Sequence, residues 1–308
     1  MDGMDAISLT EHLEYQPHKA DIPHPDRNRS YELALKEAEG HDLIIVRGSE
    51  ITRNMPPGHN NAVFIQDANK LLIKDSVGVF REANAQGAFV FWNHPDWTAQ
   101  RKDGIARITD MHKLLIRQKL LHGIEVVNDQ TYSDEALQLA LDNNLTLMGT
   151  SDVHGLADWT FLGPGRAGQR PVTLVFSATR SADGIREGLL NRRTVVAYKD
   201  LLIGRPEFLV PLVKNSIVIK EASYREGTTV LDVVLENVSS ATITMKNHTG
   251  FSLQKSTDVF EIPAREVVKI SLRTREKLQA VKLHFEGLNA VQAPNVHPLI
   301  TWDAAVKP

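Results

Sequence analysis

The chain contains no cysteine, which removes disulfides, thiolate nucleophiles and sulfur-ligated metal sites from consideration. It also lacks any run of about 18 consecutive apolar residues, so nothing in it reads as a membrane-spanning helix. Neither sign of charge dominates. The 35 Lys and Arg stand against 38 Asp and Glu, a formal net charge of −3, and that balance calls for neither a nucleic acid nor an anionic membrane surface as partner. Met1 to Asp5 has no basic stretch and no apolar core, so no signal peptide is visible and the default location is cytoplasmic. At 308 residues the chain is long enough for two domains with sizeable cores. Without cysteine, any metal must be held by His, Asp and Glu, a donor set suited to zinc, manganese or iron.

What is present is a repeated pattern. Asp5 to Thr10 runs into Glu11-His12, Asp42 to Ser49 into Glu50, and Gly87 to Asn93 into His94-Pro95. His122 to Asn128 reaches Asp129, and Asn144 to Ser151 reaches Asp152-Val153-His154. A sixth run, Ala62 to Ile65, is reversed, with His59 just before it. Short Val- and Ile-rich runs alternating with helical stretches predict a parallel α/β sheet. Acids and histidines at the carboxyl ends of its strands are where such folds keep their chemistry.

Helices are expected at Ser30–Gly40, Ser76–Gly87, Thr109–Leu121, Ser133–Asn143 and from about Ser181 to Asn191, most opening on a residue suited to an N-cap. The character changes near residue 200. Leu201 to Leu212 reads as a Pro-punctuated connector. Beyond it, Val230–Glu236, Ala241–Met245, Val267–Leu272 and Ala280–Phe285 alternate with a period of two, which predicts a small antiparallel sandwich. The expected domains are therefore 1–205 and 213–308.

Taken alone, Asn93-His94-Pro95 reads as a structural turn, and Gly58-His59 is no stronger. Ser151-Asp152-Val153-His154 is stronger, because Asp and His two apart after a strand point to one rim. The set of six candidate ligands on one face is harder to explain as packing, since buried charges need partners and a cation is the simplest common one. His41 and His112 read as surface residues, His122 lies at the opposite strand end, and His248, His284 and His297 show no ligand spacing. His18 and His24, with Lys19, Arg27 and Arg29, form either a solvated loop or a basic clamp for an anionic substrate, Arg forks being suited to phosphate oxygens.

On Ile7 to His12, Gly48-Ser49-Glu50, Gly58-His59, Asn93-His94-Pro95 and Ser151 to His154, in that order, the chain resembles the PHP (polymerase and histidinol phosphatase) metal-dependent phosphoesterases over roughly residues 1–200. The resemblance implies a distorted (β/α)7 TIM-like barrel followed by a β-sandwich, as in two-domain bacterial members. It implies up to three divalent metal ions. Glu50 would bridge two, His59 and His94 would complete one site with Glu50, Asp152 would join Glu50 at the next, and His12 and His154 would serve the third. Catalysis would fall to Glu50, Asp152 and His154, with His18, Arg27 and Arg29 binding substrate. The implied reaction is hydrolysis of a small phosphorylated molecule by metal-activated water, with no nucleic-acid partner beyond a small nucleotide substrate.

Two departures stand out. Thr10-Glu11-His12 replaces the family's Thr-Asp-His. The family also opens on a strand ending in His-x-His, and the first apolar run here aligns with the second strand instead. The expectation is that the sequence begins internally and that only the Glu50/His59/His94 site has its full ligand set. The alternatives are a catalytically impaired metal-binding remnant with a binding role, or an amidohydrolase-type hydrolase. Against the latter, no lysine sits at a strand end to form a carbamylated bridge. Substrate, metal identity, oligomeric state and the role of the C-terminal domain stay open, and so does localisation, since a sequence that begins internally leaves export possible.

Overall fold

The computed structural model describes residues 3–17, 19–20, 25–161, 170–254 and 257–307. The chain divides into two compact units, Met1–Leu156 with Pro171–Val196, and Ala157–Arg170 with Ala197–Pro308.

The first unit alternates strands and helices: β1 (Ala6–Leu9), α1 (Arg29–Glu37), β2 (Ile44–Ile51), β3 (Asn60–Val63), α2 (Gly78–Ala85), β4 (Phe89–Trp92), α3 (Asp110–Arg117), β5 (Gly123–Asn128), the two-residue β6 (Thr131–Tyr132), α4 (Asp134–Asp142) and β7 (Thr146–Thr150). After α5 (Ala157–Phe161), which clusters with the second unit, come β8 (Val172–Val175), α6 (Ala182–Leu190) and β9 (Thr194–Tyr198), with β8 beside β9. The sheet is mixed. β1–β2, β4–β5 and β5–β7 pair parallel, but β3 runs antiparallel to both β2 and β4. The all-parallel expectation fails at β3 because only a short turn separates β2 from β3, and a parallel return needs a crossover of a dozen or more residues.

Capping follows the sequence at three helices. Ser133 and Ser181 accept from Ala136 N and Gly184 N, and Thr109 forms a reciprocal box with His112. At the other two the expected serines do not cap. Asn28 precedes α1, its side chain bonding Ala68 N and Asp67 instead, and ahead of α2 the carboxylate of Asp75 accepts from Gly78 N. A core cluster of Val46, Val63, Phe89, Phe91, Met148 and Leu189 joins β2, β3, β4, β7 and α6.

In the second unit the expected connector is in fact β10 (Leu201–Gly204), paired parallel with β18 (Ala290–Val291), and α7 (Pro206–Ser216). Pro206 sits at the start of α7, where its missing N–H would have had no helical partner. The remaining strands are β11 (Ile217–Tyr224), β12 (Val230–Asn237), β13 (Ile243–Asn247), β14 (Ser252–Leu253), β15 (Val259–Ile262), β16 (Val267–Arg273), β17 (Ala280–Gly287) and β19 (Leu299–Ala305). They form two antiparallel sheets, ordered β11-β12-β16-β14 and β15-β13-β17-β19. Strict alternation buries Leu231, Val233 and Leu235 on β12 and Val281, Leu283 and Phe285 on β17, the signature of sheets packed on one face.

Candidate metal centre

Glu50 is the penultimate residue of β2, and its carboxylate is 4% exposed. Three neighbours reach it because of how the strands pair. The chain beyond β1 stays along β2, with Glu50 N bonding Glu11 O (3.0 Å) and Leu13 N bonding Glu50 O (2.8 Å), and this sets His12 directly beside Glu50. The antiparallel register Glu50↔Asn61 places His59, which precedes β3, at the same end. Between them Gly58 holds φ +79°, a backbone conformation that favours glycine. His94 follows β4. Nδ1 of His12 hydrogen-bonds Oε2 of Glu50, His59 Nδ1 lies 3.1 Å from Oε1, and His94 Nε2 lies 3.9 Å from the same oxygen. Thr52 Oγ1 and Asn93 Nδ2 donate to the carboxylate at 2.7 and 3.1 Å.

His94 and Asp152 both hold positive φ, +28° and +46°, in the left-handed region that glycine favours. Such strain persists where surrounding contacts over-determine it, and it gathers at functional sites. At His94 the determining contact is Glu125, 1% exposed on β5, which accepts from His94 N at 2.7 Å, from Asn128 Nδ2 at 2.8 Å and from Thr150 Oγ1. Asp152 and His154 stand beyond β7. The ring of His154 lies 5.9 Å from that of His12, and its Nδ1 donates to Asp152 O at 2.7 Å, which leaves Nε2 as the basic nitrogen.

Burial alone would push Glu50 upward, but hydrogen bonds from His12, His59 and His94 outweigh it and hold the carboxyl far below the usual range. Reciprocally, the bond to Glu50 raises His12. Burial lowers His94, and the carboxylates of Glu50, Glu125 and Asp152 more than reverse this. Glu125 is pushed up to about 7 by burial, against the pull of His94 and the hydrogen bond from Thr150.

All six expected ligands, His12, Glu50, His59, His94, Asp152 and His154, line one cleft of about 1130 Å³. The structure does not bring Arg27 or Arg29 to it. Arg27 Nε donates to Leu13 O (2.8 Å), and Arg29 is exposed at the start of α1. Both readings of that loop also involve His18 and His24, which lie outside the described residues. Two residues escaped the sequence reading. Glu125 sits inside the apolar run His122 to Asn128, where a lone acid in a buried strand signals a partnered group. His112, expected at the surface, is 0% exposed, because it shares the inner face of α3 with Leu115. Its Nε2 hydrogen-bonds Pro57 O (2.8 Å), two residues before His59, and its ring stacks on Trp92. In the second unit His248, His284 and His297 have ordinary polar partners in Glu286, Thr301 and Ala290 O.

The residues fit a divalent cation. Donor atoms of His12, Glu50 and His59 lie within 4.8 Å of one another, a spacing that one ion at about 2.0–2.2 Å from each can close with small side-chain shifts. His94 Nδ1 is buried without a hydrogen-bond partner, an orphan of the kind an unseen ligand or water explains.

Residues 217–303 match the family model of an Ig-like domain, which coincides with the sandwich. No curated protein matches the chain. Among solved structures it is similar to a two-domain protein from Bacteroides vulgatus ATCC 8482 containing a predicted PHP-like metal-dependent phosphoesterase. The identity is 37% over 99% of this chain and 87% of that one, with a TM-score of 0.89. A candidate metal-dependent phosphoesterase from Bifidobacterium adolescentis ATCC 15703 matches 62% of this chain and 86% of its own at 13% identity and a TM-score of 0.40, too distant a likeness to bear on the site. Fold and site thus define a mixed α/β unit with a His- and carboxylate-lined cleft, joined to an Ig-like domain. The chain belongs to the family of two-domain proteins carrying a PHP-like metal-dependent phosphoesterase domain.

Proposed function

We propose that this chain is a metal-dependent phosphoesterase that hydrolyses a small phosphomonoester in the Glu50 cleft, its curled sheet being the family's distorted seven-stranded barrel. The observation that carries the reading is the buried Glu50 carboxylate, flanked by His12 and His59 at ligand spacing and by His94. Bound zinc, manganese or iron would supply Lewis acidity toward the phosphoryl oxygens and lower the pKa of water. The protein's own residues do the rest. Glu50 stays ionised and, with His12, His59 and His94, fixes the cation at the strand ends. Asp152 adds negative charge in the same cleft and is the candidate for a second ion. His154, with Nε2 free and solvent-accessible, is placed to bind an ion or, after taking up a proton from solvent at Nε2, to hand it to the departing alkoxide. Domain limits of 1–205 and 213–308 are proposed with this reading.

The test is metal content together with turnover. Purified protein should carry at least one Zn, Mn or Fe per chain and hydrolyse phenyl phosphate, and Glu50→Gln should lose both. A chain that binds metal yet cleaves nothing in a broad phosphomonoester panel would defeat the reading and leave a metal-binding protein without this activity.

A further inference from the structure

Among the described Phe, Tyr and Trp residues only two are exposed, Tyr15 at 57% and Trp97 at 44%, and both line the Glu50 cleft. Their positions bracket the histidines. The Tyr15 ring packs at 5.4 Å against His12, and the Trp97 indole at 5.0 Å from His94 and 5.4 Å from His59. Exposed aromatics that are held in place on the walls of a concave site offer large stacking area at little entropic cost.

The charge around them is equally one-sided. The cleft is lined by Glu14, Glu50, Asp96, Asp129 and Asp152, and its only Lys or Arg among the described residues is Arg53. That guanidinium is already committed, with Nε donating to Glu14 at 2.7 Å and its other nitrogens to the carbonyls of Lys74 and Ile73. An anionic phosphoryl group can be met by cations on the Glu50 cluster. A second anionic group away from that cluster would face carboxylates and, among the described residues, no uncommitted Lys or Arg.

We infer that Tyr15 and Trp97 form a ring-stacking subsite beside the Glu50 cluster, for a phosphomonoester whose leaving group carries a planar ring and no further negative charge. The inference rests on the phosphoesterase reading for the phosphoryl end, and on the two rings and the acidic walls for the rest.

Binding of non-hydrolysable phosphonates separates the two ideas. By calorimetry on the Mn²⁺-equilibrated chain, phenylphosphonate should bind at least about tenfold more tightly than propylphosphonate, and 4-carboxyphenylphosphonate should be several-fold weaker than phenylphosphonate. Trp97→Leu and Tyr15→Leu should each weaken phenylphosphonate far more than propylphosphonate and so erase most of the phenyl preference, and Trp97→Phe should restore much of it. Equal binding of phenyl and propyl compounds, a preference untouched by either Leu variant, or binding of neither compound overturns the subsite. Hydrolysis of phenyl phosphate and glycerol 3-phosphate is followed in parallel. A phenyl preference that vanishes in the Leu variants, with no ester turned over, would support the subsite and defeat the hydrolytic reading alone.

Discussion

The backbone N–H of His94 donates to Oε2 of Glu125 at 2.7 Å, across 31 residues of sequence. The same carboxylate takes bonds from Asn128 and Thr150, so one buried acid ties together the ends of β4, β5 and β7. Those ends carry His94 and, two residues past Thr150, Asp152. Glu125 therefore acts as a positioning residue, holding the strained His94 backbone and the approach to Asp152.

Its titration gives a pH prediction for the metal-free protein. Burial raises Glu125 to about 7, so between the unfolded value near 4.5 and about 7 the folded state holds a proton that the unfolded state has lost. Stability from this group consequently falls as pH rises through that window, by an amount on the order of 3 kcal/mol. Glu125→Gln removes this slope. Urea midpoints in EDTA at pH 5 and pH 8 should show the Gln variant gaining on wild type at the higher pH. A difference between the two proteins that is constant across pH would count against it.

His112 should give a slope of opposite sign. Burial lowers it to about 4, so between about 4 and 6.5 the unfolded state binds the extra proton, and stability falls as pH drops below the unfolded value. His112→Leu should flatten that acid limb. It should also leave Pro57 O without its donor and Thr109 without half of its capping box, a loss of about 1–3 kcal/mol at pH 7. Because Pro57 leads through Gly58 into His59, Mn²⁺ affinity should weaken in the same variant, which calorimetry reads directly.

Metal should stabilise the folded chain by mass action. An ion at about 100 times its Kd adds roughly 2.7 kcal/mol, seen as a rise in thermal midpoint with Zn²⁺ or Mn²⁺. In Glu50→Gln the rise should disappear, since the central carboxylate is gone from His12 and His59. A midpoint that climbs equally in both proteins would place the ion elsewhere.

How much of this was legible in the sequence depended on whether the signal was local. Strand-end residues such as Glu50, His94 and Asp152 announced themselves because a polar group closing a short apolar run needs no tertiary knowledge to notice. The gathering of six of them in one cleft followed from strand order. β3 ran against the parallel rule because its connection was short, and α7 hid behind Pro206, which reads as punctuation but suits a first helical turn. The burial of Glu125 and His112 is hinted at by a lone acid in an apolar strand and by the spacing of His112 with Leu115, but two of the partners that fix them, His94 N and Pro57 O, are backbone atoms on distant segments, which no side-chain pattern encodes. Arg27, read as one arm of a basic clamp, donates in this structure to the carbonyls of Leu13 and Pro25, contacts that its sequence neighbourhood does not announce.

Asn237 offers a test confined to the Ig-like domain. It is buried at the end of β12, where its amide nitrogen donates to Ala241 O and Ile262 O, both at 2.8 Å, and its oxygen accepts from Ser239 N and Oγ at 2.9 and 2.7 Å. Two carbonyls on one side and two donors on the other fix the amide orientation, and every capacity is used. Asn237→Ala should cost about 2–4 kcal/mol, since it strands two acceptors in the sandwich corner. Asn237→Asp should be worse above the carboxyl pKa, because an anion would then face two carbonyl oxygens, and should recover partly in acid, where a protonated Asp can donate to one of them. Unfolding followed by the buried Trp302 should report both effects, and Mn²⁺ binding at the Glu50 cluster should remain unchanged. A pH-independent Asp variant as stable as wild type would show that the corner does not need the donor that the geometry assigns to Nδ2.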